Sequence, residues 1–356
     1  MEDPAAQRPH RLAVVGSFTT PERGARGRGL SSLRILADGS WQPAAEQGDL
    51  DNPSFLIADP GRALVHVAHG DGETVSTLAA DRATGALTLL GRIGSGGRNG
   101  VHLALSPDGR FLLVANYASG NVAVLRRDEA GLPVGLADVL ALQGVRGPHR
   151  DEQQGAHPHQ IVFSPDGRFV LVPDKGLDRV FVLGFDPASG RLDAGPPAMP
   201  TRPGAGPRHL VLDGKRAFVL GELDSTLTTA SWDAATGRLV ARHVASLLPP
   251  DCFTPTAASA IVLSADRRCL FASNRGHDSI ARFAIPAGGG APRPLGWTPA
   301  GGACPRFMGL GTAPDELLVA LEQADRISRL RITPAGDLVA TGAPTAIASP
   351  ACIAML

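Results

Sequence analysis

Two histidines flanking a proline, His157 and His159, open the stretch GAHPHQIVFSPDGRFVLVPD at residues 155–174. On a strand, alternate residues point the same way, so this pair can bind a metal, move a proton or simply pack. Imidazole titrates near neutral pH, at about 6.5, which makes either histidine a candidate general base. A closed zinc site needs four ligands. The cysteines, Cys252, Cys269, Cys304 and Cys352, lie 17, 35 and 48 residues apart with no Cys-x-x-Cys, and fit neither a zinc site nor a disulfide framework. They read as small core residues.

Other groups with chemistry occur singly. Glu222 ends FVLGE, Arg208 lies in GPRHL, Arg275 in SNRGHDS, and Lys175 is one of two lysines in the chain. Each also has a plain reading, as an ion pair or a tie between neighbouring elements. Which reading holds depends on where the fold puts them.

The turn in the opening stretch recurs. LALSPDGRFLLVANYASGNVAVL, IVFSPDGRFVLVPDKGLDRVFVL, LVLDGKRAFVLGELDSTLTTA and IVLSADRRCLFASNRGHDSIARF are copies, and FLIADPGRALVHVAHGDGETVSTL and MGLGTAPDELLVALEQADRISRL are looser ones. They centre near residues 62, 110, 168, 216, 268 and 316, at spacings of 48, 58, 48, 52 and 48. A period near 50 with four short strands per unit predicts an all-β, seven-bladed β-propeller. RLAVVGSF and GLSSLRIL supply part of a seventh unit, and its innermost strand is expected from ACIAML at the C-terminus, closing the ring and hiding two sheet edges. Residues 1–356 then form one domain, with 1–10 expected to be a flexible segment.

In such a ring, the loop entering the first strand and the loop between the second and third strands share a face. Stacking the copies at the first position gives Pro53, Val101, His159, Arg208, Ser259 and Arg306, followed one residue later by Ser54, His102, Gln160, His209, Ala260 and Phe307. The second loop gives Gly70, Tyr117, Lys175, Glu222, Arg275 and Glu322. A purely structural loop column would hold Gly, Asn and Asp. This face instead carries Lys175, Arg208, Arg275 and Arg306 against Glu222 and Glu322, on a chain whose 34 basic and 34 acidic residues cancel. It should favour a small anion. Catalytic or substrate-binding use of the histidines is therefore preferred to metal binding or packing. The insertion LQGVRGPHRDEQQGAHPH and the loop TTPERGARGRG, with Arg23, Arg26 and Arg28, form a candidate rim for the anionic end of a substrate.

Zero net charge argues against a nucleic-acid partner. No apolar run approaches the roughly 20 residues needed to span a bilayer, and the N-terminus lacks a signal-peptide pattern, so a cytoplasmic protein is expected. Oligomeric state is undetermined.

NPSFL, ANYASGNV, HPHQIVFSPDGRF, VPDKGLDRVFV, GPRHL, SNRGHDSI and PRF occur in order along the chain. In this set the sequence resembles the seven-bladed propeller lactonases that include bacterial 6-phosphogluconolactonase, a hydrolase of carbohydrate metabolism in the pentose phosphate pathway. The resemblance spans nearly the whole chain. It implies hydrolysis of a small anionic sugar lactone, 6-phosphogluconolactone, without a cofactor or metal. The same family contains fungal carboxymuconate cyclases with a His, a Glu and two Arg as proposed active-site groups. Those roles fall on the His157–His159 segment, Glu222, Arg208 and Arg275. His159 is taken as the base, with His157, Lys175, His102, His209, Tyr117 and Arg306 as substrate-binding groups. Gly221 replaces the family's usual asparagine, and Ala260 stands where an acidic residue is common. A muconolactone-type cyclase is the nearest rival. A non-catalytic interaction propeller is the other, disfavoured by a single Tyr and three Trp.

Overall fold

The computed structural model describes residues 11–356 and shows seven antiparallel sheets arranged as blades around an axis. The expected N-terminal flexible segment lies outside the described residues. Blade 1 runs through Arg11–Ser17, Leu30–Ile35 and Trp41–Gln47, and its innermost strand is Pro350–Met355. Blades 2 to 7 cover 53–94, 100–141, 162–200, 207–246, 257–299 and 305–346. The two termini close the ring as anticipated, with Ala13 opposite Met355 and Val15 opposite Ile353. The only helical pieces among the described residues are the short 3-10 turns Pro21–Arg23 and Glu322–Ala324, and neither is long or apolar enough to cross a membrane.

The recurring Ser-Pro-Asp-Gly turn explains the regularity. Ser106 Oγ donates to Asp108 (2.6 Å) and accepts the Phe111 N–H (3.0 Å), while Gly109 takes φ +70°. Ser164, Asp166 and Gly167 repeat the arrangement, and Ser264 and Asp266 repeat it with Arg267 in the left-handed position. Each turn forces the chain back on itself and starts a strand buried along nearly its whole length, such as Phe111–Asn116 and Phe169–Asp174.

Apolar side chains meet between blades rather than in one central core. One buried cluster lies at each of the seven seams, with Phe111, Phe218 and Phe271 fully enclosed. Each such residue contributes about 1.5–3 kcal/mol by leaving water. Arginines stitch the same seams. Arg62, Arg110, Arg168, Arg216, Arg282 and Arg329 each donate to a backbone carbonyl of the next blade: Glu129, Pro187, Ala234, Pro286, Gly336 and Gly39. Between blades 1 and 2, Ser32 Oγ bonds the Gly85 carbonyl instead (2.5 Å). A guanidinium has five donors and can leave one blade to reach several acceptors on another.

Blade 4 departs from the four-strand expectation. Its inner strand is only Val162–Phe163, and its outer strand is split into Leu192–Asp193 and Met199–Pro200. Pro158 has no N–H to give, so it leaves a single isolated bridge to Asp174. The His157–His159 pair therefore does not sit on a regular strand. Three of the cysteines are buried, as expected, but Cys252 lies half-exposed in the irregular loop beside Phe253, which is 91% exposed. That segment has no strand to carry it inward.

The closing strand buries Cys352, Ile353 and Ala354 and supplies the only partner of Arg11–Ser17 on its inner side. Removal of residues 350–356 should give insoluble protein or one without a cooperative urea transition. A truncated chain that unfolds like the intact one would show that closure is dispensable.

Candidate active site

The loop after each second strand delivers its first residue to the axis. Glu222 follows the strand Arg216–Gly221, and its backbone is pinned by bonds to the Gly206 carbonyl and the Ala258 N–H. Its side chain is 9% exposed. Oε1 accepts Lys175 Nζ at 2.8 Å, and Oε2 lies 2.8 Å from Arg208 Nε and 3.2 Å from Arg275 Nη2. The Arg208 contact is an ion pair without hydrogen-bond alignment, since Nε lacks an aligned acceptor. Burial alone would raise the Glu222 pKa, but Arg275, Lys175 and Arg208 outweigh it and hold the group well below the ordinary 4.5. Glu222 is thus a standing anion rather than a proton donor.

The cations are held as firmly. Burial pulls Lys175 down, but Glu222, Tyr117 and Glu152 together keep it above its usual value. Its ammonium is engaged by Glu152 Oε2 (2.7 Å) as well as Glu222, over the Tyr117 ring. Arg208, 3% exposed, is pushed by burial down to about 9 against the pull of Glu222, and remains charged at neutral pH. Its Nη1 also donates to the Ser259 carbonyl. Arg275 donates to the carbonyls of Ala257 and Ala258.

These groups line a cavity of about 220 Å³ together with His159, Tyr117, Arg306, Arg23 and Glu152. His159 is 8% exposed. Its Nδ1 is buried without a partner, which leaves Nε2 as the ring nitrogen open to the cavity. Burial, then the charges of Arg208, Lys175 and Arg306, hold it well below 6.5, so the ring is neutral.

Three expected binding groups lie elsewhere. His157 stacks flat on Tyr117 (4.3 Å, 9°) and bonds the Tyr117 carbonyl through Nδ1, whereas His159 meets the same ring edge-on (5.7 Å, 80°). The two imidazoles do not face one ligand, because Pro158 breaks the strand alternation. His102 and His209 fall one residue further along their strands and are absent from the cavity wall. His102 packs on Phe55 and His209 on His159, with the Arg208 guanidinium 3.3 Å from His209 Nε2. Among the described residues no group of three or more His, Cys, Asp or Glu is placed to hold a metal.

Of the rim arginines, Arg23 lines the cavity, Arg26 is tied to Asp325 (2.7 Å), and Arg28 is 84% exposed. The sequence missed Glu152, although it sits in the insertion already noted as unusual. Gln153 anchors that insertion by donating to the Lys175 carbonyl and Asp178.

A family model described as "Lactonase, 7-bladed beta-propeller" matches residues 12–355. A 6-phosphogluconolactonase of Bacillus subtilis is 30% identical over 66% of this chain and 67% of its own length. One from Formosa agariphila is 29% identical over 88% of this chain and 90% of its own. The solved structure of a periplasmic gluconolactonase of Pseudomonas aeruginosa superposes with a TM-score of 0.89 at 28% identity, covering 98% of this chain and 99% of that one.

Burial also holds His66 and His102 down to about 3, and lowers His69 and His209. With His159 these five histidines stay neutral in the folded chain while the unfolded chain takes up protons near pH 6.5. Stability therefore falls as pH drops below that value. Asp174, pushed up to about 7 by burial, acts in the opposite sense but is outnumbered. The urea midpoint should be lower at pH 5 than at pH 7.5. A midpoint that is unchanged or higher at pH 5 would contradict this.

Proposed function

The chain belongs to the seven-bladed β-propeller lactonase family and is a lactonase, and from that premise we propose that it hydrolyses a small anionic sugar lactone, 6-phosphogluconolactone being the foremost candidate. The observation that carries the reading is the arrangement around Glu222: one permanent carboxylate holds Lys175, Arg208 and Arg275 beside the open nitrogen of a neutral His159. Lactone hydrolysis needs these parts: a proton acceptor for water, cationic donors for the oxyanion, and a proton for the departing alkoxide.

In the proposed reaction, water attacks the lactone carbonyl carbon while His159 Nε2 takes its proton. The carbonyl oxygen becomes an oxyanion beside Arg208, whose charge is fixed before substrate arrives and needs no reorganisation. The ring carbon–oxygen bond then breaks, the alkoxide recovers the proton from His159, and the carboxylic acid so formed gives its remaining proton to solvent and leaves as a carboxylate. Glu222 takes no proton at any step; it keeps the arginines in place and offsets their mutual repulsion. An imidazole depressed by neighbouring cations is a weak base in the empty site. An anionic substrate offsets those cations and raises its basicity on binding.

Hydrolysis of 6-phosphogluconolactone should exceed the spontaneous rate and survive dialysis against a strong chelator. His159→Asn and Arg208→Met should each lower kcat/KM by roughly 10²–10³ with the fold retained, as for other lost donors and bases. In the wild type, kcat/KM should lack an inflection near pH 6.5, because free His159 titrates well below it. Failure of the protein to accelerate any lactone, or wild-type rates in both variants, would refute the reading.

A further inference from the structure

The cavity has two unlike sides. On the side of blades 3 to 5, Lys175 is already held by Glu152 and Glu222, and Arg208 by Glu222 and the Ser259 carbonyl. Lys175 was expected to grip the anionic end of a substrate, yet its charge is matched by two carboxylates. On the far side the donors are less used. Arg23 gives Nε and Nη2 to Asp71 (2.6 Å each), and Arg306 gives Nη1 to Glu322 (3.2 Å). Arg23 Nη1 and Arg306 Nε and Nη2 have no hydrogen-bond partner among the described residues, and both side chains line the cavity.

Phe18 brings these two guanidiniums together from opposite ends of the chain. Arg23 lies 4.8 Å and Arg306 4.7 Å from the centroid of its ring. The ring is 1% exposed and fixed, with the Phe18 backbone bonded to Ser349 and Gly27. It belongs to the loop that leaves the first strand of blade 1, next to the seam where the ring closes. Asp71 and Glu322 stand behind the arginines as orienting partners, not in the cavity wall, which carries five cations against two carboxylates. Burial and the neighbouring charges of Arg275 and Arg23 depress Arg306, a repulsion that an added anion relieves.

We infer that Arg23 and Arg306, set on the Phe18 ring, form a phosphate subsite that selects phosphorylated lactones over unphosphorylated ones. The ester or lactone end then lies toward His159 and Arg208, and the phosphate end toward blades 1 and 7. The inference rests on the lactonase reading for the choice of substrates, but phosphate binding itself does not depend on turnover. Lys175 and Glu152 belong to the opposite side and position Glu222.

The test uses two readouts. Inorganic phosphate should raise the melting temperature of the wild type in a saturable way, and Arg23→Met and Arg306→Met should weaken that binding by roughly ten- to a hundredfold, the loss expected for one charge-assisted hydrogen bond. In steady-state assays, the ratio of kcat/KM for 6-phosphogluconolactone to that for gluconolactone should fall by a similar factor in both variants. Arg26→Ala, on the same loop but tied to Asp325 outside the cavity, should keep both the binding and the ratio. No saturable phosphate effect on the wild type, or an equal loss in Arg26→Ala, would overturn the subsite. An unchanged ratio in both methionine variants would overturn it as well. If phosphate binding behaves as stated while neither lactone is turned over, the subsite stands and the lactonase reading falls.

Discussion

Lys175, Arg208 and Arg275 could not be buried together at the mouth of this propeller without the carboxylate of Glu222 between them. Removing charged groups from water costs several kcal/mol each unless a partner compensates. Glu222 serves three at once, using both oxygens, from the centre of a site assembled by blades 4, 5 and 6. The consequence is mutual. The cations keep Glu222 ionised, and Glu222 lets the cations stand close enough to face one small ligand. His159 is neutral and Glu222 charged for one shared reason: the surrounding cations disfavour an added proton on each, burial reinforcing them at His159 and opposing them at Glu222.

The architecture that makes this possible is repetitive at every level. Each blade repeats one turn, one apolar seam and one interblade bond, so the loops that deliver Tyr117, Lys175, Glu222 and Arg275 arrive at equivalent positions around the axis. Function is written in the departures. Blade 4 gives up a regular inner strand at Pro158 and carries a longer insertion, which separates His157 from His159 and brings Glu152 over Lys175. Blade 1 is closed by the C-terminal strand, and the loop beside that closure places Phe18 and Arg23 opposite Arg306.

Much of this was legible in the sequence because a 50-residue period is insensitive to local error. Aligning the turns fixes the register of the axial loops, and four of the six residues in the Tyr117–Glu222 column line the cavity. The same alignment could not tell His157 from His159, since it assumed a strand where proline leaves a bridge. It also placed His102 and His209 on the wall, although one step along a strand turns a side chain to the other side. Phe18 and Glu152 carried no signal. A phenylalanine after an apolar strand reads as core, and an acidic residue in a loop reads as solvated, until three-dimensional neighbours give each a task. Lys175 reads from the sequence as a substrate-binding cation, because sequence shows a charge but not the two carboxylates that hold it.

The central claim is that Glu222 remains a carboxylate at every pH at which the protein is folded. Carbon-13 labelling of glutamate side chains, with Glu222→Gln to assign the resonance, measures its ionisation directly. The account predicts a carboxyl shift that stays constant from pH 7 down to about 4, where free glutamates near 4.3 are already titrating. A Glu222 resonance that titrates at or above the ordinary value of 4.5 would contradict it.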